Sequence, residues 1–225
     1  MKQIKAVIFD MDGLMFDTEK LWFDSVETVN KTHNTGVPMS VIYECAGFRD
    51  DKTDARIMEV MGENFNLKRF RKLTDKAQNK DVKQNGLRIK PGLNELLDYL
   101  TNNNIDLVLA SSSTTKQIKY CFKAAKVNLK LFKHIVAGNM VTEPKPHPQM
   151  YKVAKALTNF HNENVLVLED SEVGVMSAHE AGLKVIMIPD IKQPSPEVEK
   201  MAYKKLNDLT QVIDVIKKLN KKDMD

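Results

Sequence analysis

The sequence has few cysteines and no long apolar run. It contains two cysteines in 225 residues, Cys45 and Cys121, and neither belongs to a CxxC motif. We therefore expect reduced cytosolic thiols and no disulfide framework. No stretch approaches the roughly 20 apolar residues that a membrane span needs, and the apolar run before Asp10 is too short for a signal peptide. Together these absences predict a cytoplasmic protein without a membrane partner.

The sequence also lacks a strong excess of charge of either sign. It has 34 basic and 30 acidic residues, which leave a formal net charge of +4. The lysines are scattered along the chain. The densest basic run, KRFRK at 68–72, is more typical of a solvated helix face than of a phosphate or nucleic-acid patch. We therefore expect no nucleic-acid partner.

Motifs for nucleotide and zinc binding are missing as well. The chain has neither GxxxxGKS/T nor GxGxxG, the glycine-rich loops that usually hold nucleotide phosphates. Its five histidines have no metal-ligand spacing, so a zinc site is not expected. The usual sequence signals of both kinds of site are thus absent.

What the sequence does contain is an alternation of strand-like and helix-like segments. The strand-like runs are apolar on both faces, which is typical of a parallel sheet covered by helices on each side. This alternation predicts an α/β fold with a doubly wound, Rossmann-like parallel sheet. The predicted strands are 4–9, 105–110, 134–138, 164–169 and 184–188, and the predicted helices are 93–103, 115–125, 148–158, 172–181 and 209–222.

One interval interrupts this alternation. Between about residues 18 and 88 the sequence has no convincing strand, only helix-like pattern in LWFDSVETVNKTH, DARIMEVMG and LKRFRKLTDKAQNK. A turn-rich stretch, NGLRIKPG, precedes the return to the α/β pattern. We therefore predict a helical insert at 18–88, hinged near 17–18 and 86–91, in an α/β core formed by 1–17 and 89–225.

Two aspartates stand at the end of the first predicted strand. Asp10 and Asp12 are two positions apart, and side chains at that spacing point to the same side of an extended segment. Two like charges placed together are unfavourable unless a cation or a shared proton compensates them. The pair therefore indicates a functional site and not an ordinary strand end.

Three further segments bring polar residues to the same edge of the predicted sheet. Ser111 follows the second strand, Lys145 lies a few residues beyond the third, and Glu169 and Asp170 end the fourth. In an open α/β sheet, ligands bind outside the carboxyl ends of the strands. Each feature alone could be a turn, a helix cap or a surface charge. Their joint order along the chain predicts one shared site.

The residue types at this edge favour magnesium and a phosphoryl group. Oxygen ligands from Asp10, Asp170 and Glu169, together with a backbone carbonyl, suit Mg²⁺. A magnesium site beside a lysine and a hydroxyl suits a phosphoryl group, whose charge has to be neutralised during transfer. The predicted cofactor is therefore Mg²⁺.

Four motifs carry a resemblance to a known family. They are DMDGLMFDTE at 10–19, LASSS at 109–113, EPKPHP at 143–148 and LEDSEVG at 168–174. With them, the sequence resembles the haloacid dehalogenase superfamily over essentially the whole chain. The resemblance is to the branch of phosphatases and β-phosphoglucomutase-like enzymes, in which a helical cap is inserted after the first strand. It implies that the insert at 18–88 is such a cap.

The resemblance also implies roles for the residues at the sheet edge. Asp10 matches the nucleophile, and Asp12 matches the general acid and base, whose carbonyl also binds Mg²⁺. Asp170 matches the metal-binding acid, with Glu169 as its neighbour in the metal site. Lys145 matches the ammonium that holds the phosphoryl group.

The substrate side of the site is less defined. Ser111 matches the hydroxyl that hydrogen-bonds the phosphoryl group, with Ser112 beside it. Arg49 matches a cap position that can grip a second anionic group, although a surface arginine explains it equally well. A cap that closes over the site favours a small phosphorylated metabolite, a sugar phosphate or a nucleoside monophosphate. A monomer or a weak homo-oligomer is expected.

The choice within the family rests on two positions. Asp12 excludes the dehalogenases that name the superfamily, because they have no leaving-group oxygen to protonate. The β-phosphoglucomutases carry a cap histidine where this sequence has Trp22, so a phosphatase acting through an aspartyl-phosphate is favoured and a phosphomutase is the alternative. The competing class outside this family is a response-regulator receiver, which is not an enzyme. It is disfavoured because a receiver has neither a residue with the role of Asp12 nor an insert of this length. The sequence thus predicts a phosphoric monoester hydrolase.

Overall fold

The structure, a computed structural model, describes residues 3–47 and 50–221. The chain divides into two compact units. The first unit combines Met1–Phe16 with Ile89–Asp225, and the second is Asp17–Arg88. The interpretation of these units as a catalytic core and a closing cap stays a prediction. Within the described chain, no helix combines the length and the apolar composition of a membrane span.

The second unit is helical and has its own apolar core. Phe23, Val26, Ile42 and Phe70 pack together in its interior. The helix after Leu67 begins at a polar cap, because the Asn66 side chain accepts a hydrogen bond from the Arg69 backbone, and such caps satisfy otherwise unpaired N–H groups. Its helices are α1 (Thr18–His33), α2 (Met39–Glu44), α3 (Asp50–Met61) and α4 (Leu67–Asn85).

The first unit is built on a parallel sheet, which confirms the predicted fold class. Among the described residues it has six strands in the order β3-β2-β1-β4-β5-β6. Strand β1 lies in the middle, paired with β2 and β4, and all four of its residues are buried. The strands are β1 (Ala6–Phe9), β2 (Asp106–Ser111), β3 (Phe132–Ala137), β4 (Val165–Glu169), β5 (Lys184–Met187) and β6 (Lys204–Lys205).

Helices cover the sheet. The helices are α5 (Leu93–Asn102), α6 (Thr115–Ala124), α7 (Gln149–Thr158), α8 (Glu172–Glu180), α9 (Pro196–Met201) and α10 (Thr210–Lys221), with 3₁₀ turns at Leu129–Leu131, Gly138–Met140 and Asn162–Asn164. Five of these helices were predicted from the sequence and lie within a few residues of their expected bounds: α5, α6, α7, α8 and α10. Helix α2 of the second unit, helix α9 and strand β6 were not predicted.

An aromatic cluster packs beneath the first half of the sheet. Phe9 and Phe132 come from the strands, Phe122 from α6 and Phe16 from the segment after β1. Their ring centroids are 5.1 to 5.7 Å apart, with rings nearly perpendicular. Edge-to-face contacts of this kind add to the free energy gained by burying each ring. These contacts pack Phe9, the residue directly before Asp10, against Phe132.

Candidate active site

Lys145 joins the ends of two strands. Asp10 follows β1 directly, and Glu169 is the last residue of β4. The Lys145 Nζ atom donates hydrogen bonds to Asp10 Oδ1 at 2.6 Å and to Glu169 Oε1 at 2.6 Å. Only 5% of the lysine side chain is exposed. Burial by itself lowers the pKa of an amine, but the carboxylates of Asp10 and Glu169 raise the pKa of Lys145 well above its usual value, so it carries a positive charge.

Glu169 is a buried carboxylate with a full set of donors. Its Oε1 atom accepts from Lys145 and from the Tyr151 hydroxyl, both at 2.6 Å. Its Oε2 atom accepts from the Asp170 and Ser171 backbone and from the Ser171 hydroxyl at 3.0 to 3.1 Å. Burial opposes its ionisation, yet Lys145 and these donors hold the pKa of Glu169 below its usual value. Glu169 is thus a charged anchor for the lysine.

Three carboxyl groups come close enough to share a cation. One oxygen of each of Asp10, Glu169 and Asp170 lies within 4.8 Å of the others. Burial raises the pKa of Asp10 to about 7, with Lys145 acting in the opposite direction. Burial, and then the charges of Glu169 and Asp10, raises the pKa of Asp170 well above its usual range. Crowded acids of this kind are stabilised as anions by a bound metal ion.

The backbone after β1 leaves room for this cluster. Gly13 has φ +82°, a conformation that side chains disfavour. A Cβ atom at this position would lie 2.3 Å from Asp170 Oδ2. The three carboxylates of this cluster offer oxygen atoms of the kind that a hard divalent cation such as Mg²⁺ prefers.

Asp12 receives hydroxyl donors from the loop after β2. The Ser113 hydroxyl donates to Asp12 Oδ2 at 2.8 Å, and the Ser111 hydroxyl lies 3.4 Å from the same oxygen. The sequence left open whether Ser111 to Ser113 only cap α6. The N-cap is instead Thr114, which accepts from the Gln117 backbone. The two serine hydroxyls are therefore directed at Asp12 and not at the helix.

Three further residues that the sequence singled out are Ser112, Arg49 and Trp22. Ser112 is exposed beside this loop. Arg49 lies outside the described residues. Trp22 belongs to α1 of the second unit, where its ring centroid is 5.5 Å from that of Phe23. This contact supports a packing role for the Trp22 ring.

Comparison with known proteins identifies the family. The family model described as haloacid dehalogenase-like hydrolase matches residues 7–188. The chain belongs to this family. The resemblance seen in the four motifs is therefore confirmed.

Two relatives and one solved structure of similar fold illustrate what this haloacid dehalogenase-like hydrolase is similar to. A phosphorylated carbohydrates phosphatase from Thermotoga maritima is 31% identical over 184 residues, covering 81% of this chain and 84% of the relative. The (DL)-glycerol-3-phosphatase 2 of Arabidopsis thaliana is 28% identical over 199 residues, covering 83% and 80%. The crystal structure of a β-phosphoglucomutase from Clostridium difficile superposes with a TM-score of 0.74 at 20% identity, covering 99% of both chains. The prediction of a phosphoric monoester hydrolase is confirmed.

Three residues at the site of this hydrolase were not predicted to act there. Ser113 contacts Asp12, and Tyr151 contacts both Lys145 and Glu169. Asp190, beyond the end of β5, forms an ion pair with Lys90, and its charge contributes to the raised pKa of Asp170. Asp190 follows the fifth predicted strand by two residues, so its place at a strand end was the signal that could have revealed it.

Gly174 provides a test of the Glu169 anchor. A Cβ atom at Gly174 would lie 1.8 to 2.2 Å from the Glu169 carboxylate. We expect Gly174→Ala to displace that buried carboxylate, to lower the free energy of unfolding by roughly 1–3 kcal/mol and to reduce turnover by displacing Lys145. Urea unfolding and phosphate release measure the two effects. Unchanged stability and turnover would contradict the close packing around Glu169.

Proposed function

We propose that the protein is a Mg²⁺-dependent phosphatase that hydrolyses a small phosphomonoester through a phosphoryl group carried on Asp10. The observation that carries this proposal is the position of Asp10, which contacts a buried ammonium and belongs to the acidic cluster formed with Glu169 and Asp170. Lys145 donates to Asp10 at 2.6 Å, and Asp170 belongs to the same cluster. An anionic phosphoryl group can approach a carboxylate only if positive charge compensates both.

In the first step the Asp10 carboxylate attacks phosphorus. A bond forms between one Asp10 oxygen and phosphorus while the bond from phosphorus to the substrate oxygen breaks. The departing oxygen takes a proton from Asp12, which acts as the general acid. The Lys145 ammonium and the Ser111 hydroxyl hydrogen-bond the phosphoryl oxygens, with Ser112 beside them. The products of this step are the free alcohol and a phosphorylated Asp10.

In the second step water attacks the same phosphorus atom. Asp12, now a carboxylate, accepts a proton from the water as the new oxygen–phosphorus bond forms. The bond between phosphorus and the Asp10 oxygen breaks, which releases inorganic phosphate and restores the Asp10 carboxylate. Asp12 ends this step protonated, ready for the next substrate. The two roles need one side chain that meets the leaving oxygen and then the water.

Asp10, Asp170 and the Asp12 carbonyl are the proposed ligands of Mg²⁺. When bound, Mg²⁺ would supply positive charge to the reacting phosphoryl group and to the crowded carboxylates. Glu169 belongs to the same acidic cluster, but its oxygens accept hydrogen bonds from Lys145, Tyr151 and the chain that follows it. This supports a role for Glu169 in holding Lys145 and not as a direct ligand.

The proposed substrate is a phosphorylated sugar or a related small metabolite. Support comes from the relatives, which are a phosphatase of phosphorylated carbohydrates and a glycerol-3-phosphatase. We further propose that the second unit acts as the helical cap of this branch and selects the substrate, with Arg49 as a candidate contact to a second anionic group. We also propose that the protein acts in the cytoplasm.

A phosphomutase is the second candidate, because the fold is shared with a β-phosphoglucomutase. A mutase has to keep its phosphorylated aspartate intact until the sugar has turned around. Trp22 stands where those mutases have an ionisable histidine, and an indole cannot exchange protons near neutral pH. The phosphorylated Asp10 is therefore expected to hydrolyse quickly.

The experiment that separates the two is a time course on β-glucose 1-phosphate with a catalytic trace of the 1,6-bisphosphate. We expect inorganic phosphate to accumulate from sugar monophosphates, with no conversion of β-glucose 1-phosphate to glucose 6-phosphate. Both products are measured in the same samples by a phosphate assay and a coupled dehydrogenase. Efficient isomerisation with little phosphate release would assign the protein as a mutase.

A further inference from the structure

The hydroxyl of Ser113 makes the shorter of the two serine contacts to Asp12. Its Oγ atom is 2.8 Å from Asp12 Oδ2, whereas the Ser111 Oγ atom is 3.4 Å away, near the limit of a hydrogen bond. The two residues are 101 positions apart in sequence, so the folded sheet brings them together. Both belong to the first unit.

The backbone of Ser113 is held by contacts that do not use its hydroxyl. Its N–H donates to Ser111 Oγ at 3.0 Å, and its carbonyl accepts from the Gly138 N–H at 2.9 Å. Gly138 approaches so closely that a Cβ atom there would lie 2.0 Å from the Ser112 carbonyl oxygen. Helix α6 has its own cap in Thr114. The conformation of the loop therefore does not depend on the Ser113 hydroxyl.

We infer that Ser113 is a positioning residue for Asp12, whose hydroxyl holds one carboxylate oxygen of the acid and base in place for both proton transfers. This inference rests on the proposed function. In that mechanism the Ser111 hydroxyl turns to the phosphoryl group, and its long contact to Asp12 is easily given up. The Ser113 hydroxyl then keeps its hydrogen bond to Asp12 Oδ2 and continues to orient the carboxylate.

The consequence is a dependence on the leaving group. An alkyl phosphate expels an alkoxide, which has to receive the Asp12 proton as it departs. An aryl phosphate such as p-nitrophenyl phosphate expels an anion that is stable near neutral pH, so its departure needs no proton. Because kcat/KM covers only the steps up to release of the leaving group, it isolates the transfer in which Asp12 acts as the acid.

The test compares Ser113→Ala with wild type on glycerol 3-phosphate and p-nitrophenyl phosphate. We expect kcat/KM for glycerol 3-phosphate to fall about tenfold or more, part of the 10²–10⁴-fold that a general acid contributes. The value for p-nitrophenyl phosphate should change by less than about threefold. The ratio of the two values does not depend on how much of the variant is folded. Ser113→Thr, which keeps a hydroxyl, should restore the wild-type ratio.

Thr114→Ala is the matched control, because it removes a neighbouring hydroxyl that caps α6 and is exposed. It should lower thermal stability and leave the substrate ratio unchanged. An equal loss on both substrates in Ser113→Ala, or no loss on glycerol 3-phosphate, would overturn the inference and leave the proposed function standing. A wild-type protein that released phosphate from neither substrate nor from the sugar monophosphates would overturn the proposed function, and the inference with it.

Discussion

Replacing Asp10 with asparagine is expected to lower the turnover of phosphomonoesters by more than a hundredfold while the protein stays folded. A neutral amide is a poor nucleophile toward phosphorus and a weak metal ligand, so both proposed roles of Asp10 are lost. The Lys145 ammonium keeps its contact to Glu169, so it is not left buried without a carboxylate. Phosphate release and circular dichroism measure turnover and fold.

Asp106→Asn is the matched control for this substitution. Asp106 is the first residue of β2, whereas Ser111 of the site is the last, so the two lie at opposite ends of the strand. The Asp106 carboxylate pairs with the exposed Lys133. The same chemical change there should cost less than about 1 kcal/mol of stability and leave turnover intact. If Asp10→Asn kept more than about a hundredth of the wild-type rate, Asp10 would not be the nucleophile.

Removal of divalent metal is expected to abolish turnover, and added Mg²⁺ should restore it. Asp10 is buried, Asp170 is half-buried, and burial and neighbouring carboxylates raise the pKa of both, so without a metal ion their anionic forms are less favourable. Ca²⁺ should inhibit. It accepts more ligands at longer distances and can take both oxygens of Asp10, including the one that attacks phosphorus.

Binding can also be measured without turnover. Mg²⁺ should raise the thermal midpoint of the wild-type protein, since a ligand that binds only the folded state stabilises it. Asp170→Asn should lose most of this rise, because a neutral amide replaces a charged ligand. Full turnover in chelator, or an equal rise in midpoint for wild type and Asp170→Asn, would contradict the proposed metal ligands.

Four strands of the sheet were predictable because nearly all their residues are buried on both faces: β1, β2, β4 and β5. Runs such as the one ending at Phe9 are continuously apolar and stop at a polar residue, a pattern typical of strands in a parallel sheet covered by helices. Strand β3 begins at Phe132, two residues before its predicted start, because a 3₁₀ turn leads directly into it. The two-residue strand β6 is exposed and lysine-rich, and the six-residue helix α2 is too short to show a period.

The candidate site was predictable where a residue ends a strand. A polar side chain at the end of an apolar run, or directly after it, was the signal that identified Asp10, Ser111 and Glu169. Tyr151 does not, because it occupies a buried position of α7 next to Met150, where its pattern is that of a core residue. Its hydroxyl finds Glu169 only in the folded protein.

Ser113 was hidden for a different reason. A serine just before a helix is normally interpreted as a cap. Thr114 caps the helix instead, and the hydroxyl of Ser113 donates a hydrogen bond to Asp12. Which of several adjacent hydroxyls caps the helix depends on backbone angles, and the sequence alone does not specify them.

Transfer of the phosphoryl group to Asp10 is the step on which the proposed mechanism depends. The most direct test is to mix excess enzyme with Mg²⁺ and a phosphorylated sugar, quench in acid within milliseconds, and map the modified residue by mass spectrometry. We predict a transient adduct with the mass of one phosphoryl group on the peptide that contains Asp10, absent in Asp10→Asn. Phosphate released at the wild-type rate with no such adduct at any time, or an adduct on another residue, would contradict this mechanism.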